Sequence, residues 1–257
     1  MKFNVAGLLK KFIFYTLLIL LWEWAYQLKL WPPYLFPSPQ DVLQSLSAGF
    51  GDGSFLIGAG RSLQRILIGY SISLVFGAAI GILVGRFKIL DETVGSLLTA
   101  LQVLPSICWL PLAILWFGLS ETAIQFVVVM GALLSISIAT DSGIKNIPPL
   151  YIRAARTMGI KGIDLYTRVI FPAALPAVVT GMKLGWSFAW RSLMAGELIF
   201  VSLGLGHLLQ MGRELHDMPQ VVAVMVVIMG IGLTFDQLIF APIEKRVRRL
   251  WGTSRAA

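Results

Sequence analysis

Arg191 lies inside a strongly apolar stretch of the sequence, and Ser187 stands four residues before it, on the same face of a helix. A guanidinium beside a hydroxyl could bind an oxyanion through charge-assisted hydrogen bonds. The alternative is an ion pair or a carbonyl contact that holds helices together, because charges in apolar stretches do both jobs. Glu197 follows in the same stretch. It could pair with an arginine of a second chain, line a gate or repel anions; we favour a gate or a structural partner.

Further charged positions in or beside apolar stretches have structural explanations. Lys183 can extend its ammonium from an apolar surface toward water. Asp236 is a candidate for a structural polar contact, and Glu23, which lies between two tryptophans, is expected to pack or to contact a partner. Asp141 and Lys145 have the spacing of an i,i+4 ion pair on a helix.

His207 and His216, with Glu214 and Asp217 nearby, form the group that most resembles a metal site. Their spacing matches no recognised set of ligands, so we interpret them as solvated loop residues and predict neither a metal nor a cofactor. Cys108 is the only cysteine, which excludes an intramolecular disulfide. Its mostly apolar neighbours predict a small buried side chain.

The sequence has no G-x-x-x-x-G-K-[ST] phosphate loop and no G-x-G-x-x-G turn that leads into a helix. Paired acids, a histidine cluster or a nucleophile with its base do not converge anywhere in the sequence. We therefore predict a chain that is not an enzyme and cannot hydrolyse ATP by itself.

The composition shows which elements must position these residues. Of the 257 residues, 57% are hydrophobic and 13% are charged, whereas soluble domains carry about 25% charged residues. Most of the protein's surface therefore does not face water. The net charge of +8 would suit a nucleic-acid-binding protein, but the cations lie mainly between and beyond the apolar runs, where they signal orientation. We predict a membrane protein with no nucleic-acid partner.

A helix needs about 20 apolar residues to cross a bilayer core of about 30 Å. The chain contains six such stretches, which predict an all-α, polytopic membrane protein with one transmembrane domain over residues 1–257 and a core over about 55–245. The predicted spans are roughly 12–28, 66–85, 97–117, 122–140, 175–199 and 220–240.

Lysine and arginine predict the orientation of these spans. Most of the 21 Lys and Arg residues lie at the two termini and in the loops 86–96 and 141–172, which share one side of the membrane. Cytoplasmic loops carry an excess of positive charge. Both termini are therefore predicted to be cytoplasmic, with the chain in a bacterial inner membrane.

Two prolines in the third predicted span suggest that this span lines a pathway through the protein. Pro105 and Pro111 remove backbone hydrogen bonds within the membrane, and such breaks are tolerated where a helix is buried or lines a cavity. We predict that this span is kinked and lies close to the pathway. The candidate pathway residues are Pro105, Trp109, Ser187, Arg191 and Glu197.

Glycines recur at four-residue spacing along the second predicted span. Small residues at four-residue spacing lie on one face and allow two helices to approach closely. The partner could be a helix that moves during function or an ordinary neighbour in the bundle. The glycines are Gly77, Gly81 and Gly85.

The loop over residues 141–172 is too long for a simple connection. A pair of prolines suits a helix start, and the pattern over residues 150–158 predicts a helix that ends at Gly159, a left-handed C-cap. A second helix over about 162–170 is predicted to end before Pro172. The apolar face of this pair must bury against a docked partner or against the protein's own spans; its residues include Tyr151, Ala154, Ala155 and Met158.

This loop resembles the signature of the permease subunits of ATP-binding-cassette (ABC) importers. That signature has two alanines, a glycine four residues after the second, and an aliphatic-x-aliphatic-Pro run beginning ten residues beyond the glycine. The matching residues are Ala154, Ala155, Gly159, Val169, Phe171 and Pro172. Phe171 is aromatic where the family is aliphatic, and Arg153 stands where the family usually has glutamate. The resemblance implies that Arg153, Ala154, Ala155, Gly159 and Pro172 belong to coupling helices, about 148–172, that contact an ATPase.

The same resemblance extends along the chain. It includes Phe36-Pro37-Ser38-Pro39, the set Ser62, Arg65, Gly69 and Tyr70, and the stretch from Leu104-Pro105 to Leu115-Trp116-Phe117-Gly118, which is similar to the nitrate/sulfonate/taurine/bicarbonate branch. It implies a type I (MetI-like) permease of six spans. The implied partners are two cytoplasmic ATPase subunits, an extracytoplasmic substrate-binding protein and a second permease copy, with a homodimer favoured.

The resemblance implies a permease subunit of an ABC importer for a small anionic solute such as a sulfonate, nitrate or bicarbonate. The same role for an uncharged or heterocyclic nutrient remains an alternative. A stand-alone secondary transporter is a weaker one, since two homologous halves are not visible and the 141–172 loop would be unexplained. A membrane enzyme lacks a converging site.

Overall fold

The computed structural model describes residues 5–32, 34–200 and 202–251, and helices account for almost all of them. This confirms the all-α prediction. In chain order the helices are α1 (Val5–Gln27), α2 (Pro39–Gly51), α3 (Ser54–Arg86), α4 (Lys88–Gln102), α5 (Ser106–Phe117), α6 (Glu121–Lys145), α7 (Pro149–Thr157), α8 (Ile163–Ile199), α9 (Leu205–Glu214) and α10 (Met218–Leu250).

Four helices within the described residues are long and apolar enough to cross a membrane, namely α3, α6, α8 and α10. The pair α4 and α5 makes a fifth candidate span that is bent by 97° at a short break. These five cover the last five spans predicted from the sequence. The predicted first span corresponds to α1, a helix of 23 residues; its passage through the membrane, and so the count of six, stays a prediction.

Helix α6 forms the centre of the bundle, with α3 packed on one side and α8 on the other. Glycines make both contacts close, as expected for small residues between membrane helices. A methyl group added to Gly81 of α3 would lie 2.6 Å from Cβ of Thr140 on α6, and one added to Gly185 of α8 would lie 2.8 Å from Cγ1 of Ile136. The predicted glycine face of α3 therefore packs against a helix of the same chain.

Gly81→Ala is expected to destabilise the protein by about 1–3 kcal/mol, because the added methyl group overpacks the contact between α3 and α6. The matched control is Gly60→Ala in the same helix, where the new methyl group meets no atom within 4 Å. Alanine propensity should make this control neutral or more stable by up to about 1 kcal/mol. Thermal unfolding in detergent compares the two; equal losses would contradict the packing argument.

The predicted kink near Pro105 is a complete break in the helix. The amide of Val103 still bonds to the Ala100 carbonyl at 3.3 Å, and Leu104 to Leu101 at 3.1 Å. Proline at position 105 cannot donate the next bond, and its ψ of 136° turns the chain out of the helical region. The helix restarts at Ser106, so two short arms meet at 97°.

The 148–172 segment contains one separate helix, α7, and the first turns of α8. Gly159 follows α7 with φ of +82°, the left-handed conformation predicted for this C-cap. Ala155 of α7 packs on Leu165 and Ile170 of α8 in a small buried cluster. The Arg86 guanidinium at the end of α3 lies 4.6 Å from the centre of the Tyr166 ring, a cation–π contact that ties the segment to the bundle.

The prediction that a second helix ends before Pro172 is wrong, because α8 runs without interruption from Ile163 to Ile199. A π-helical turn over Tyr166–Ile170 precedes the proline. In this turn the amide of Phe171 bonds to the Tyr166 carbonyl, five residues back. Pro172 then occupies the first turn of the next α-helical segment, where a missing amide is tolerated. The fifth predicted span is therefore joined rigidly to the 148–172 segment.

Candidate functional site

A cavity of about 250 Å³ lies where the broken span, α6 and α8 meet. The break between α4 and α5 forms one wall, as expected where irregular backbone inside a membrane lines a cavity. Residues from the middle of α6 and from α8 form the others. The lining residues are Gln102, Val103, Leu104, Pro105, Ser106, Trp109, Met130, Gly131, Leu134, Ser135, Phe188 and Arg191.

Arg191 brings a positive charge to this cavity. Its Nε donates to the Ser187 carbonyl at 3.1 Å, and its guanidinium carbon lies 4.8 Å from the centre of the Phe188 ring. In the described residues no carboxylate forms an ion pair with Arg191. The terminal nitrogens of the guanidinium therefore remain available as hydrogen-bond donors.

Three of the five candidate pathway residues lie together at this cavity. Pro105 and Trp109 belong to the broken span and Arg191 to α8, about eighty residues later in the sequence, and all three line the cavity. Ser187 does not line the cavity. It lies one helical turn from Arg191 on α8, and its hydroxyl donates to the Lys183 carbonyl at 3.2 Å. Arg191 contacts the Ser187 carbonyl, and the Ser187 hydroxyl is not directed at the guanidinium. This geometry does not favour the two side chains binding one oxyanion together.

Glu197 is fully buried, with 0% of its surface exposed. Its carboxylate accepts hydrogen bonds from the Ser62 hydroxyl at 2.7 Å and from Arg65 Nη1 at 2.7 Å. Arg65 also forms a bidentate pair with Glu121, with distances of 2.7 Å from Nε and 2.6 Å from Nη2. We call these four residues the Arg65 cluster. Of the roles considered for Glu197, this geometry favours the structural partner, with an arginine of its own chain.

The Arg65 cluster also holds the loop between α8 and α9. The amide of Leu205 donates to the Ser62 hydroxyl at 2.9 Å, and the amide of Gly206 to Glu197 at 3.0 Å. Glycine is needed here, because a methyl group on Gly204 or Gly206 would lie 2.6 or 2.5 Å from Glu197. The cluster thus fastens α3, α6, α8 and this loop together, at the end of the bundle opposite the 148–172 segment: Glu197 holds α3 and the loop, and Glu121 joins α6 through Arg65.

Charged residues at the other end of the bundle also form pairs. Lys145 pairs with Asp141 at 2.8 Å, which confirms the predicted i,i+4 pair, and it also bonds to Asp91. Lys183 lies 2.9 Å from Asp236 on α10. Lys183 therefore does not simply extend to the surface, and Asp236 is the structural contact that the sequence predicts.

The residues matched to the coupling signature divide into exposed and buried sets. Arg153 and Ala154 are exposed on α7, whereas Ala155 faces the protein. Gly159 is exposed at the turn, and Pro172 lies partly buried on α8. The predicted apolar face is thus only partly covered by the chain's own helices; its exposed apolar side chains are Leu150, Tyr151, Met158 and Ile163.

The remaining candidates form no site. Among the described residues, no three His, Cys, Asp or Glu side chains are grouped closely enough to hold a metal ion. Cys108 is exposed, contrary to the buried position predicted for it, because it lies in the tight turn that follows the break at Pro105.

Sequence comparison places these features in a known family. Residues 73–249 match the family of binding-protein-dependent transport system inner membrane components. The taurine transport system permease protein TauC of Escherichia coli is 30% identical over 220 residues, covering 83% of this chain and 80% of TauC. The nitrate import permease protein NrtB of Synechocystis is 27% identical over 212 residues, covering 79% and 77%.

Structural comparison agrees on the fold. The chain superposes on an inward-facing structure of the MetNI methionine ABC transporter with a TM-score of 0.66 and 20% identity. The match covers 76% of this chain and 96% of that one. Together with the bundle, the broken span and the 148–172 segment, these similarities show that the chain belongs to the binding-protein-dependent transport system inner membrane components, the permease subunits of ABC transporters.

Proposed function

We propose that this chain provides the translocation pathway of an ABC importer for a small anionic solute. The observation that carries the proposal is the cavity at the broken span, to which Arg191 brings an unpaired cation. Unpaired charges at membrane depth are costly and usually mark a substrate pathway. The names of the taurine and nitrate relatives agree with an anion.

The 148–172 segment would couple ATP hydrolysis in a partner subunit to movement of the spans. Its exposed apolar side chains suit a docked ATPase subunit, and the unbroken α8 would carry a movement of this segment directly to Arg191. The Arg86–Tyr166 contact would carry the same movement to α3. Arg153, Ala154 and Gly159 would lie at or beside the contact, while Ala155 and Pro172 would keep the segment rigid.

The assembly would consist of two copies of this chain, two ATPase subunits on the cytoplasmic side and a substrate-binding protein on the other. In this arrangement both termini lie in the cytoplasm, since the 148–172 segment does. The chain itself has no phosphate loop, so its partners would hydrolyse ATP.

Reconstitution tests this proposal. Proteoliposomes that contain the permease, its cognate ATPase and its binding protein should accumulate solute only when ATP is supplied on the ATPase side. Vesicles with the permease alone should accumulate none. Solute movement that needs neither ATP nor the ATPase would instead show a secondary transporter.

A further inference from the structure

We propose that the C-terminal turns of α10 bind the headgroup of an anionic phospholipid. The residues that would hold the phosphate are Lys245, Arg246 and Arg249, and the acyl chains would lie on the exposed apolar face directly before them. This site is separate from the cavity at the broken span. It goes beyond the proposed function, because its ligand belongs to the surrounding membrane and is not the transported solute.

The length of α10 places these cations at the level of the lipid headgroups. The helix has 33 residues, and its length is about 50 Å. A bilayer core is about 30 Å thick, and the whole bilayer about 40–45 Å. With Met218 at one membrane surface, Leu238 lies about 30 Å along the helix and Lys245 about 40 Å. Leu238 is therefore at the depth of the acyl chains and Lys245 at the depth of the opposite headgroups.

The three cations are not neutralised by the protein. Lys245, Arg246 and Arg249 are exposed, and none of them forms an ion pair or a side-chain hydrogen bond with another described residue. Glu244 is the carboxylate of the same turns, and it pairs with Arg248 at 2.5 Å. The segment therefore presents three uncompensated positive charges to its surroundings.

The cations near the ends of α3 and α6 differ, because both of them hold the bundle together. Arg86 lies over the Tyr166 ring, and Lys145 pairs with Asp141. Each of these charges also serves to keep its end of the helix on the cytoplasmic side. The cations at the end of α10 are free in addition, which neither packing nor orientation requires.

The cations and the apolar residues before them share one face of the helix. Residues three or four apart on a helix are neighbours, and this spacing joins Leu238, Pro242, Lys245 and Arg249 in one row, with Arg246 beside it. Leu238 is 71% exposed. An acyl chain can lie along the apolar part of this row while the phosphate accepts charge-assisted hydrogen bonds from the ammonium and guanidinium groups.

Two other occupants suit this face less well. A cytoplasmic ATPase could reach the cations but not Leu238, which lies at the depth of the acyl chains. A second copy of this chain would bring mainly further positive charge, because the carboxylates described at this end of the bundle already pair with cations. These carboxylates are Asp91, Glu92, Asp141, Asp164, Asp236 and Glu244.

The test measures lipid binding to the full-length permease in detergent micelles by native mass spectrometry. The probes are phosphatidylglycerol, which carries one net negative charge, and phosphatidylethanolamine with the same acyl chains, which carries none. Phosphatidylglycerol is expected to bind about tenfold or more tightly, since each Lys or Arg near a membrane surface strengthens attraction to anionic lipid by about fivefold. Equal affinity for the two lipids would overturn the inference.

Arg249→Gln and Arg248→Gln are the matched pair of variants, because they remove the same charge from adjacent exposed positions of one helix. Arg249→Gln should weaken binding of phosphatidylglycerol by about fivefold. Arg248→Gln should weaken it by less than about twofold, because Arg248 already pairs with Glu244. The double variant Lys245→Gln/Arg249→Gln should lose most of the preference for phosphatidylglycerol. Equal losses for the two single variants would show attraction to net charge alone and would overturn a specific site.

Two further measurements exclude other ligands. Glycerol 3-phosphate carries the phosphate without acyl chains and should not displace phosphatidylglycerol at equal concentration; displacement would mean a site for free phosphate. The double variant should still assemble with the ATPase. If it kept its lipid and lost the ATPase, the surface would belong to that subunit and the inference would be wrong. Absence of ATP-dependent uptake by the complete importer would overturn the proposed function alone, because lipid binding is measured on the permease by itself.

Discussion

Glu197→Ala is expected to lower the stability of the protein more than any other single change considered for this chain. The substitution leaves Arg65, which is 7% exposed, with half of its ion pairs. Removing one partner of a buried pair costs about 3–5 kcal/mol when the remaining charge is left without compensation. Because Arg65 keeps Glu121 and the Leu203 carbonyl, we expect a loss of about 3 kcal/mol, near the lower end of this range. It also removes the acceptor for the Gly206 amide. Thermal unfolding in detergent micelles, followed by tryptophan fluorescence, measures the loss.

Glu121→Ala is the matched control, because Glu121 binds the same guanidinium from the opposite side. Its side chain is 59% exposed, so water can replace the lost partner, and exposed ion pairs contribute about 1 kcal/mol or less. We therefore expect a small shift for Glu121→Ala. Similar losses for the two variants would contradict a structural role based on the burial of Glu197.

The Arg65 cluster has a consequence for movement during transport. It joins α3, α6 and α8 at the end of the bundle where the loop before α9 is also fastened. Glycine contacts join the same three helices along their length. These helices therefore form one rigid body, and rigid-body motion is a common way for a membrane transporter to change access. Access to the cavity would then change mainly through the broken span and, in the proposed assembly, through the second permease copy.

Hydropathy and proline placement predicted most of this arrangement. Long apolar runs identified α3, α6, α8 and α10, because a lipid environment allows few polar residues on a spanning helix. Pro105 identified the break, and Gly159 identified the end of α7. Proline at position 105 cannot donate the next helical hydrogen bond, and glycine at position 159 tolerates the left-handed conformation that other residues avoid. The same reasoning failed at Pro172, which α8 accommodates in its first α-helical turn after the π turn.

The Arg65 cluster was missed because the predicted second span began at residue 66. With the observed start at Ser54, Arg65 would have counted as an intramembrane charge that needs a partner. Glu197 would then have been the obvious candidate. The amphipathic first turns of α3, which carry two arginines and two serines among glycines, concealed the start of the helix from a search for continuous apolar runs.

The π-helical turns and the place of Ser135 in the cavity could not be predicted from the sequence, for a different reason. A π turn has no composition of its own, and the one before Pro172 follows from the continuous packing of α8 on the bundle. Ser135 resembles any serine of a spanning helix, and most of these bond back to their own helix, as Ser137 and Ser192 do. Only the packing of α6 against the broken span shows that Ser135 faces a cavity.

Gly159→Val is expected to abolish ATP-driven transport while the protein still folds. Gly159 has φ of +82°, a conformation that costs a non-glycine residue about 1–2 kcal/mol and a β-branched one more. An added Cβ would meet no atom within 4 Å, so the strain is confined to the turn after α7. The turn would adopt another conformation, and the exposed face of α7 would lose its position relative to α8.

Gly159→Asn separates backbone conformation from side-chain size, since asparagine tolerates the left-handed region far better than valine does. We expect this variant to retain most of the transport activity. The measurement is ATPase activity of the complex in proteoliposomes, with and without liganded binding protein. For Gly159→Val the basal rate should persist and the stimulation should disappear; normal stimulation would show that the geometry of this turn does not couple ATP hydrolysis to the pathway.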